Sequence, residues 1–182
     1  LGLAAGAGEF LKWVGIEQDA PLAVLAETIE AVRRLQAGER VPLAGRFLRW
    51  SSEAYLRRPA LRQTPIYVGA MGPKMLALAG EVADGALPLL FPPEHYFGML
   101  PHVQSGLARR SPALGELDLA ACIWVSLAED RAAARRVLAH KIAYYGHALG
   151  PLIWERLGLT KADFAPIEQA MMVERDAEKA AA

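Results

Sequence analysis

The run from Pro65 to Gly85 constrains the fold of this chain more than any other stretch. Pro65-Ile66-Tyr67-Val68 reads as a short apolar strand, Gly69-Ala70-Met71-Gly72 as a glycine-punctuated turn, and Pro73 as the opening of a short helix. A second strand begins at Ala83-Asp84-Gly85. Strand, turn, helix and strand in so few residues make one β-α-β unit, and two strands joined by a helical crossover pair in parallel.

The rest of the chain repeats that order. Leu1 to Ala5 is a short apolar strand, and the small residues of Gly6-Ala7-Gly8 make either a tight turn or a loop that a ligand approaches closely. From Pro21 to Ala37, Leu22, Leu25, Ile29, Val32 and Leu35 fall at helical spacing with Glu27, Glu30, Arg33 and Arg34 opposite, and Gly38 closes the run. Val41 to Thr64 has no sustained periodicity, and a loop of that length is functional or carries some structure of its own. Ala86 to Pro93 reads as a strand running into a proline-stiffened apolar loop, and Glu94 to Arg110 as a helix broken near Pro101. Leu117 to Leu127 is apolar enough for a parallel strand buried on both faces. Asp130 opens a long helix, Gly150-Pro151 interrupts it, a short helix runs to Leu157, and Thr160 to Asp163 resembles a capping box. Alternation of this kind implies a parallel sheet with helices outside it.

Composition excludes several function classes. Twenty basic residues against twenty acidic ones leave no global field to attract nucleic acid or an anionic membrane. No stretch reaches the roughly 18 apolar residues of a membrane span, and Leu1 to Gly8 lacks a basic signal-peptide start. The one cysteine, Cys122, sits in an apolar run and reads as a buried small hydrophobe; a chain without an internal disulfide suits the cytoplasm. His95, with Tyr96 and Phe97, follows a strand where a barrel places substrate contacts, although a lone histidine is more often structural. His102, His140 and His147 lack metal-ligand spacing. Glu9 is a candidate carboxylate, and Arg57-Arg58 a candidate anion contact, each with solvated surface as the plainer reading. Tyr144, Tyr145 and Trp154 read as packing groups. The chain starts without Met in what reads as a strand and ends in an alanine-rich helical run, so both ends look cut.

The turn at Gly69 has a definite chemical capacity. Glycine allows backbone angles and close approach that larger residues forbid, and Pro73 suits the first helical position because its missing N–H has no partner there. The unpaired amides of Lys74 and Met75, at the positive end of the helix dipole, favour a phosphate. Lys74 is not part of a Walker motif, and no spaced dinucleotide fingerprint or Gly-x-Ser-x-Gly elbow occurs.

The run Pro65 to Gly85 resembles the bacterial-luciferase-like superfamily of flavin- and deazaflavin-dependent oxidoreductases, nearest the branch typified by methylenetetrahydromethanopterin reductase. Leu1 to Gly6 is similar to its fourth barrel strand, Glu27 to Leu35 with Gly38-Glu39 to the helix that follows, and Ala143 to Gly146 with Ile153 to Gly158 to its late helices. The resemblance implies an α/β fold, a (β/α)8 TIM barrel represented by about strands four to seven over residues 1–182, truncated at both ends. It also implies a cofactor at the C-terminal strand ends, coenzyme F420 or alternatively FMN, held by Gly6, Ala7, Gly69, Ala70, Met71, Gly72, Pro73 and Lys74. The implied reaction is hydride transfer between F420 and a small organic substrate; an FMN monooxygenase or a non-catalytic flavin-binding barrel subunit are the alternatives. A homodimer of the full-length protein, free of nucleic acid and membrane, completes the expectation, with the isolated 182 residues inactive. The acid–base residues belong to early strands that this chain does not display, so no catalytic residue is assigned. Ala4 and Ala7 stand where members of the superfamily often carry Gly and an acidic or hydroxyl residue. Leu89, Leu90, Phe91 and Pro92 replace the Thr and Lys of members that oxidise sugar phosphates, which points to a larger or less polar substrate.

Overall fold

The computed structural model describes residues 1–58, 60–89 and 95–182, with the side chains of Glu9 and His147 left aside. The chain forms two compact units: Leu1–Pro88 with Leu100–Ala120, and Leu89–Met99 with Ala121–Ala182.

The first unit is built on four short strands, β1 (Gly2–Ala4), β4 (Tyr67–Ala70), β5 (Gly85–Pro88) and β6 (Asp118–Leu119). They lie in the order β1-β4-β5-β6 with every pairing parallel, as the alternating pattern predicts. Between β1 and β4 run α1 (Gly8–Trp13), α2 (Pro21–Gln36) and a small antiparallel hairpin of β2 (Leu43–Ala44) and β3 (Arg49–Trp50). Helix α3 (Pro73–Val82) connects β4 to β5, and α4 (His95–Leu107) precedes β6.

One face of the sheet packs on helices. Ile66, Val68 and Ala86 are fully buried, as are Leu76 and Ala79 of α3; α3 packs on β4, β5 and α2, whose Leu25 and Ile29 are buried too. Burial of each larger aliphatic side chain there contributes about 1.5–3 kcal/mol. The N-terminal ends of the strands are pinned by Asp84. Its Oδ2 accepts the Ile66 N–H at 2.7 Å, and its Oδ1 meets Arg33 Nη2 of α2 at 3.1 Å. Arg110 donates to the carbonyls of Ala83 at 2.6 Å and Gly115 at 2.8 Å, which ties the α3–β5 turn to the segment after α4.

Glu27 does more than its place on the polar face of α2 suggests. Its carboxylate accepts the backbone N–H groups of Arg46, Phe47 and Leu48 at 2.9, 2.8 and 3.0 Å, and so fastens the β2–β3 hairpin to the helix. These amides, that of Phe47 first, hold the Glu27 carboxyl below its usual 4.5, against a smaller opposing effect of desolvation.

In the second unit α5 (Arg131–Tyr145) is capped by Asp130, which accepts from the N–H groups of Ala132 at 3.0 Å and Ala133 at 3.2 Å. Helix α6 (Pro151–Leu157) starts after Gly150, at φ +87°, and the expected Thr160–Asp163 capping box is present. Helix α7 (Ala165–Glu168), a π-helical turn (Gln169–Glu174) and α8 (Ala177–Ala181) follow, and Ala143, Ala170 and Ala180 pack together with Ile167 and Met171. Trp154 is buried and donates Nε1–H to the Gly146 carbonyl at 2.9 Å, in keeping with a packing role.

Three expectations need correction. Helix α4 continues through Pro101, because a proline removes one intrahelical donor without forcing the helix to end. The stretch Leu117 to Leu127 yields only β6 and a lone bridge between Leu89 and Cys122. Val125 and Leu127 are 70% and 91% exposed, so apolar content here does not mean burial on two faces. Cys122 is likewise exposed, since no other strand among the described residues pairs with this segment beyond that bridge. The loop Leu90 to Pro92 lies outside the described residues.

Two predictions follow from this packing. Helices α3 and α4 touch backbone to backbone at Gly106, where a Cβ would run into the Ala77 carbonyl. Gly106→Ala should therefore lower stability by about 2–3 kcal/mol, measured by urea denaturation of the intact protein. Because the folded pKa of Glu27 is depressed, its contribution is present above the ordinary carboxylate range and is lost as pH falls through the lowered value. Hydrogen exchange should show the Phe47 and Leu48 amides losing protection on acidification, and Glu27→Gln should make that protection low at every pH.

Candidate cofactor site

Strands β1 and β4 pair Ala4 with Gly69, so the loops that leave them emerge side by side at one edge of the sheet. The first is Ala5 to Ala7, with Gly6 at φ +76°, a left-handed conformation that favours glycine. Gln18 Nε2 tethers it by donating to the Ala5 carbonyl at 2.8 Å and the Gly6 carbonyl at 3.2 Å. Ala7 then caps α1, a helix the sequence pattern does not announce. The second loop is Met71-Gly72, leading into Pro73 at the first position of α3 as expected.

The two glycines of this turn serve space rather than unusual backbone angles. Neither Gly69 nor Gly72 has a positive φ. A Cβ on Gly69 would stand 3.2 Å from the Ala4 Cβ, so glycine lets the two strands meet with nothing between them. A Cβ on Gly72 would meet no atom within 4 Å, which leaves open space directly before the α3 N-terminus. Gly72 supplies no side-chain cap, and the first amides of α3 therefore face that space. Lys74 is exposed at the second helical position and Met71 is half-buried. Ala70 is 4% exposed and faces the helical layer, so its methyl group does not line the edge and only its backbone is available there.

On the sheet face opposite the helices, β4 goes from the large Tyr67 to Gly69, which has no side chain. At the N-terminal end the Tyr67 ring lies over Gly85, whose Cβ would run into it, and the phenol donates to Asp118 Oδ2. The register places Tyr67, Gly85 and Asp118 in one cross-strand row. Two residues further on, the row is Ala4, Gly69 and Leu87, with almost no side chain over β1 and β4. The hydrogen bond to Asp118, then burial and the charges of Asp118 and Asp84, push the Tyr67 phenol above its usual 10.0. The sequence reading did not single out this row, because it depends on register.

Arg57 and Arg58 are exposed in the loop before β4. His95 is buried at the start of α4, and Phe97 is exposed. Glu9 falls within α1, its side chain outside the described residues. Among the described residues no group of three or more His, Cys, Asp or Glu could hold a metal.

Parallel strands alternating with helices, and an open edge at their C-terminal ends with a helix N-terminus beside it, define an α/β protein of TIM-barrel type. Residues 1–180 match the family described as luciferase-like monooxygenase, and the chain belongs to that family. It is 29% identical over 94% of its length to the 5,10-methylenetetrahydromethanopterin reductase of Archaeoglobus fulgidus, covering 51% of that protein. It is 34% identical over 92% of its length to the F420-dependent glucose-6-phosphate dehydrogenase of Nakamurella multipartita, covering 52% of it. The solved structure of the coenzyme F420 dependent tetrahydromethanopterin reductase from Methanopyrus kandleri superposes with a TM-score of 0.81 at 22% identity, over 99% of this chain and 56% of that one, and so shares the fold. The chain spans about half the length of the curated relatives it matches.

The Tyr67–Asp118 contact generates a prediction. A raised phenol pKa means that the contact stabilises the fold at neutral pH and is lost as pH rises through the elevated value. An alkaline absorbance titration should contain one late-ionising tyrosine, and Tyr67→Phe should remove that component alone.

Proposed function

We propose that the intact protein carrying this chain is an oxidoreductase that transfers hydride between coenzyme F420 and a small organic substrate. The observation that carries the reading is the open space before α3, bounded by Gly72 and the first helical amides and flanked by the small-residue surface at Ala4 and Gly69. F420 has a phosphate-bearing tail and a flat ring, and both needs are met by this edge: amides at a helix N-terminus for the phosphate, and an unobstructed strand surface for the ring. The names of the relatives from Archaeoglobus, Nakamurella and Methanopyrus support the choice of cofactor and of redox chemistry.

On this reading Gly72, Pro73 and the amides of Lys74 and Met75 receive the phosphate, with the Lys74 ammonium adding charge. Gly6, Ala7, Gly69, Met71 and the Ala70 backbone border the ring. Bound F420 supplies the hydride chemistry; the residues of this chain bind and orient it and keep water from its buried face. The substrate reading remains that of a larger, less polar molecule than a sugar phosphate, supported by the apolar composition around Leu89. A homodimeric, cytoplasmic enzyme belongs to the same reading and rests on the family resemblance; no helix among the described residues is long and apolar enough to cross a membrane.

FMN also offers a phosphate and a flat ring, and the monooxygenase description of the family favours it as the second reading. Titration of the intact protein with each cofactor, followed by absorbance and fluorescence, decides between them. F420 should bind at micromolar concentration and FMN more weakly. Gly72→Ala places a methyl group in the open space, where it meets no protein atom within 4 Å, and should weaken F420 binding about tenfold, as for one lost charge-assisted hydrogen bond. Tighter binding of FMN would transfer the site to the monooxygenase reading, and failure to bind either would remove the cofactor assignment. Binding without turnover of any F420-linked substrate would favour the non-catalytic subunit.

A further inference from the structure

The loop Ala5 to Ala7, which the cofactor reading sets beside the ring, is not fixed by its own residues. Glycine adopts left- and right-handed backbone angles with similar ease, so Gly6, at φ +76°, does not hold its conformation by itself. Packing supports it on one side only. A Cβ on Gly6 would stand 3.3 Å from the Leu11 side chain, which therefore lies directly against the loop. Next to that contact is a cavity of about 260 Å³, whose lining includes Leu3, Ala5, Leu11, Ile16, Gln18 and Val24. A loop standing at the edge of a cavity needs a further restraint to keep one shape.

Gln18 supplies that restraint. After α1 the chain turns at Gly15, at φ +72°, and the Ile16 N–H bonds the Leu11 carbonyl at 2.9 Å. This returns Gln18 to a point 13 residues back along the sequence, at Ala5. One end of its side-chain amide faces two successive backbone carbonyls, that of Ala5 at 2.8 Å and that of Gly6 at 3.2 Å. Both are acceptors, so the group facing them is the NH2, whose two protons serve two acceptors at once. The backbone of Gln18 is anchored in turn. It stands just before Ala20 and Pro21, where α2 begins, and α2 is held in the core by the buried Leu25 and Ile29. The side chain thus ties a glycine loop to the start of a packed helix.

We infer that Gln18 is a positioning residue of the cofactor site: by bracing the Ala5 and Gly6 carbonyls it holds the loop in the shape that receives F420 before the cofactor arrives. The inference rests on the F420 reading and deepens it, since Gln18 acts through the loop. A protein whose binding-competent conformation is only partly populated binds with an affinity reduced by that fraction, so loss of the brace weakens binding without removing any group that touches the ligand. Gln18 is exposed, and water competes for its two hydrogen bonds, which keeps the effect moderate.

The test is a titration of the intact protein and its Gln18→Ala and Gln18→Glu variants with F420 over a series of pH values, joined to hydrogen exchange of the cofactor-free proteins. Gln18→Ala should raise the Kd for F420 about threefold to tenfold at every pH, relative to the native protein at the same pH. Gln18→Glu should bind at least as weakly at neutral pH, where a carboxylate faces two carbonyl oxygens. It should recover toward the native value on acidification, when the carboxyl gains an O–H donor. A side chain that only fills space would show no such recovery. Without cofactor, the Leu11 amide, which bonds the Ala7 carbonyl at 3.1 Å, should exchange faster in both variants at neutral pH, while the Ile66 amide on Asp84 stays protected and reports an intact fold. Native binding of F420 that both variants match overturns this inference and leaves the cofactor reading standing, as does a Gln18→Glu variant that stays weak at every pH. A native protein that binds no F420 removes both.

Discussion

The site depends on the place where Ala4 and Gly69 meet. Two parallel strands far apart in the chain pair in a register that sets these residues opposite each other, and a single extra carbon at Gly69 would crowd the contact. That pairing brings the Gly6 loop and the Gly72 turn to one edge. It also leaves the sheet surface beside them with little more than the Ala4 methyl, Leu87 following in the same row, while Val68 and Ala70 on the opposite face are buried. An open surface and a core thus arise from the two faces of one short sheet, as the alternation of strand side chains requires.

Charged groups divide along the strands in a corresponding way. Asp84 binds the Ile66 amide and Arg33 at the N-terminal ends, and Asp118 accepts from Tyr67 one strand further along. Their hydrogen-bonding capacity is directed at the fold. At the C-terminal ends the available donors are backbone amides at the start of α3, beside Lys74. Stability groups at one end of the strands and open backbone donors at the other match the division that barrel enzymes make.

Much of this is legible in the residues themselves. Pro73 and Gly72 mark the start of α3, Pro21 and Gly38 bracket α2, and Asp130 caps α5, because helix ends impose local chemical demands that single residues answer. What could not be read depends on partners distant in the chain. Tyr67 reaches Asp118 only through the register of three strands, and Glu27 appears as a solvated helix residue until the hairpin folds back onto it. Leu117 to Leu127 has the composition of a two-sided buried strand, but burial is decided by neighbours, and Val125 and Leu127 are exposed. The glycines of the turn suggest special backbone angles; their use here is to leave space, which only the opposing Ala4 reveals.

The central claim is that a phosphate-bearing cofactor sits on the edge shared by the Gly6 and Gly72 loops. Hydrogen–deuterium exchange of the intact protein, with and without F420, tests it most directly because it locates binding along the chain. Protection should rise in the segment Gly69 to Met75 and in the loop Ala5 to Ala7, with the N-terminal strand ends at Ile66 and Asp84 unchanged. Cofactor-dependent protection that bypasses Gly69 to Met75 would contradict the account.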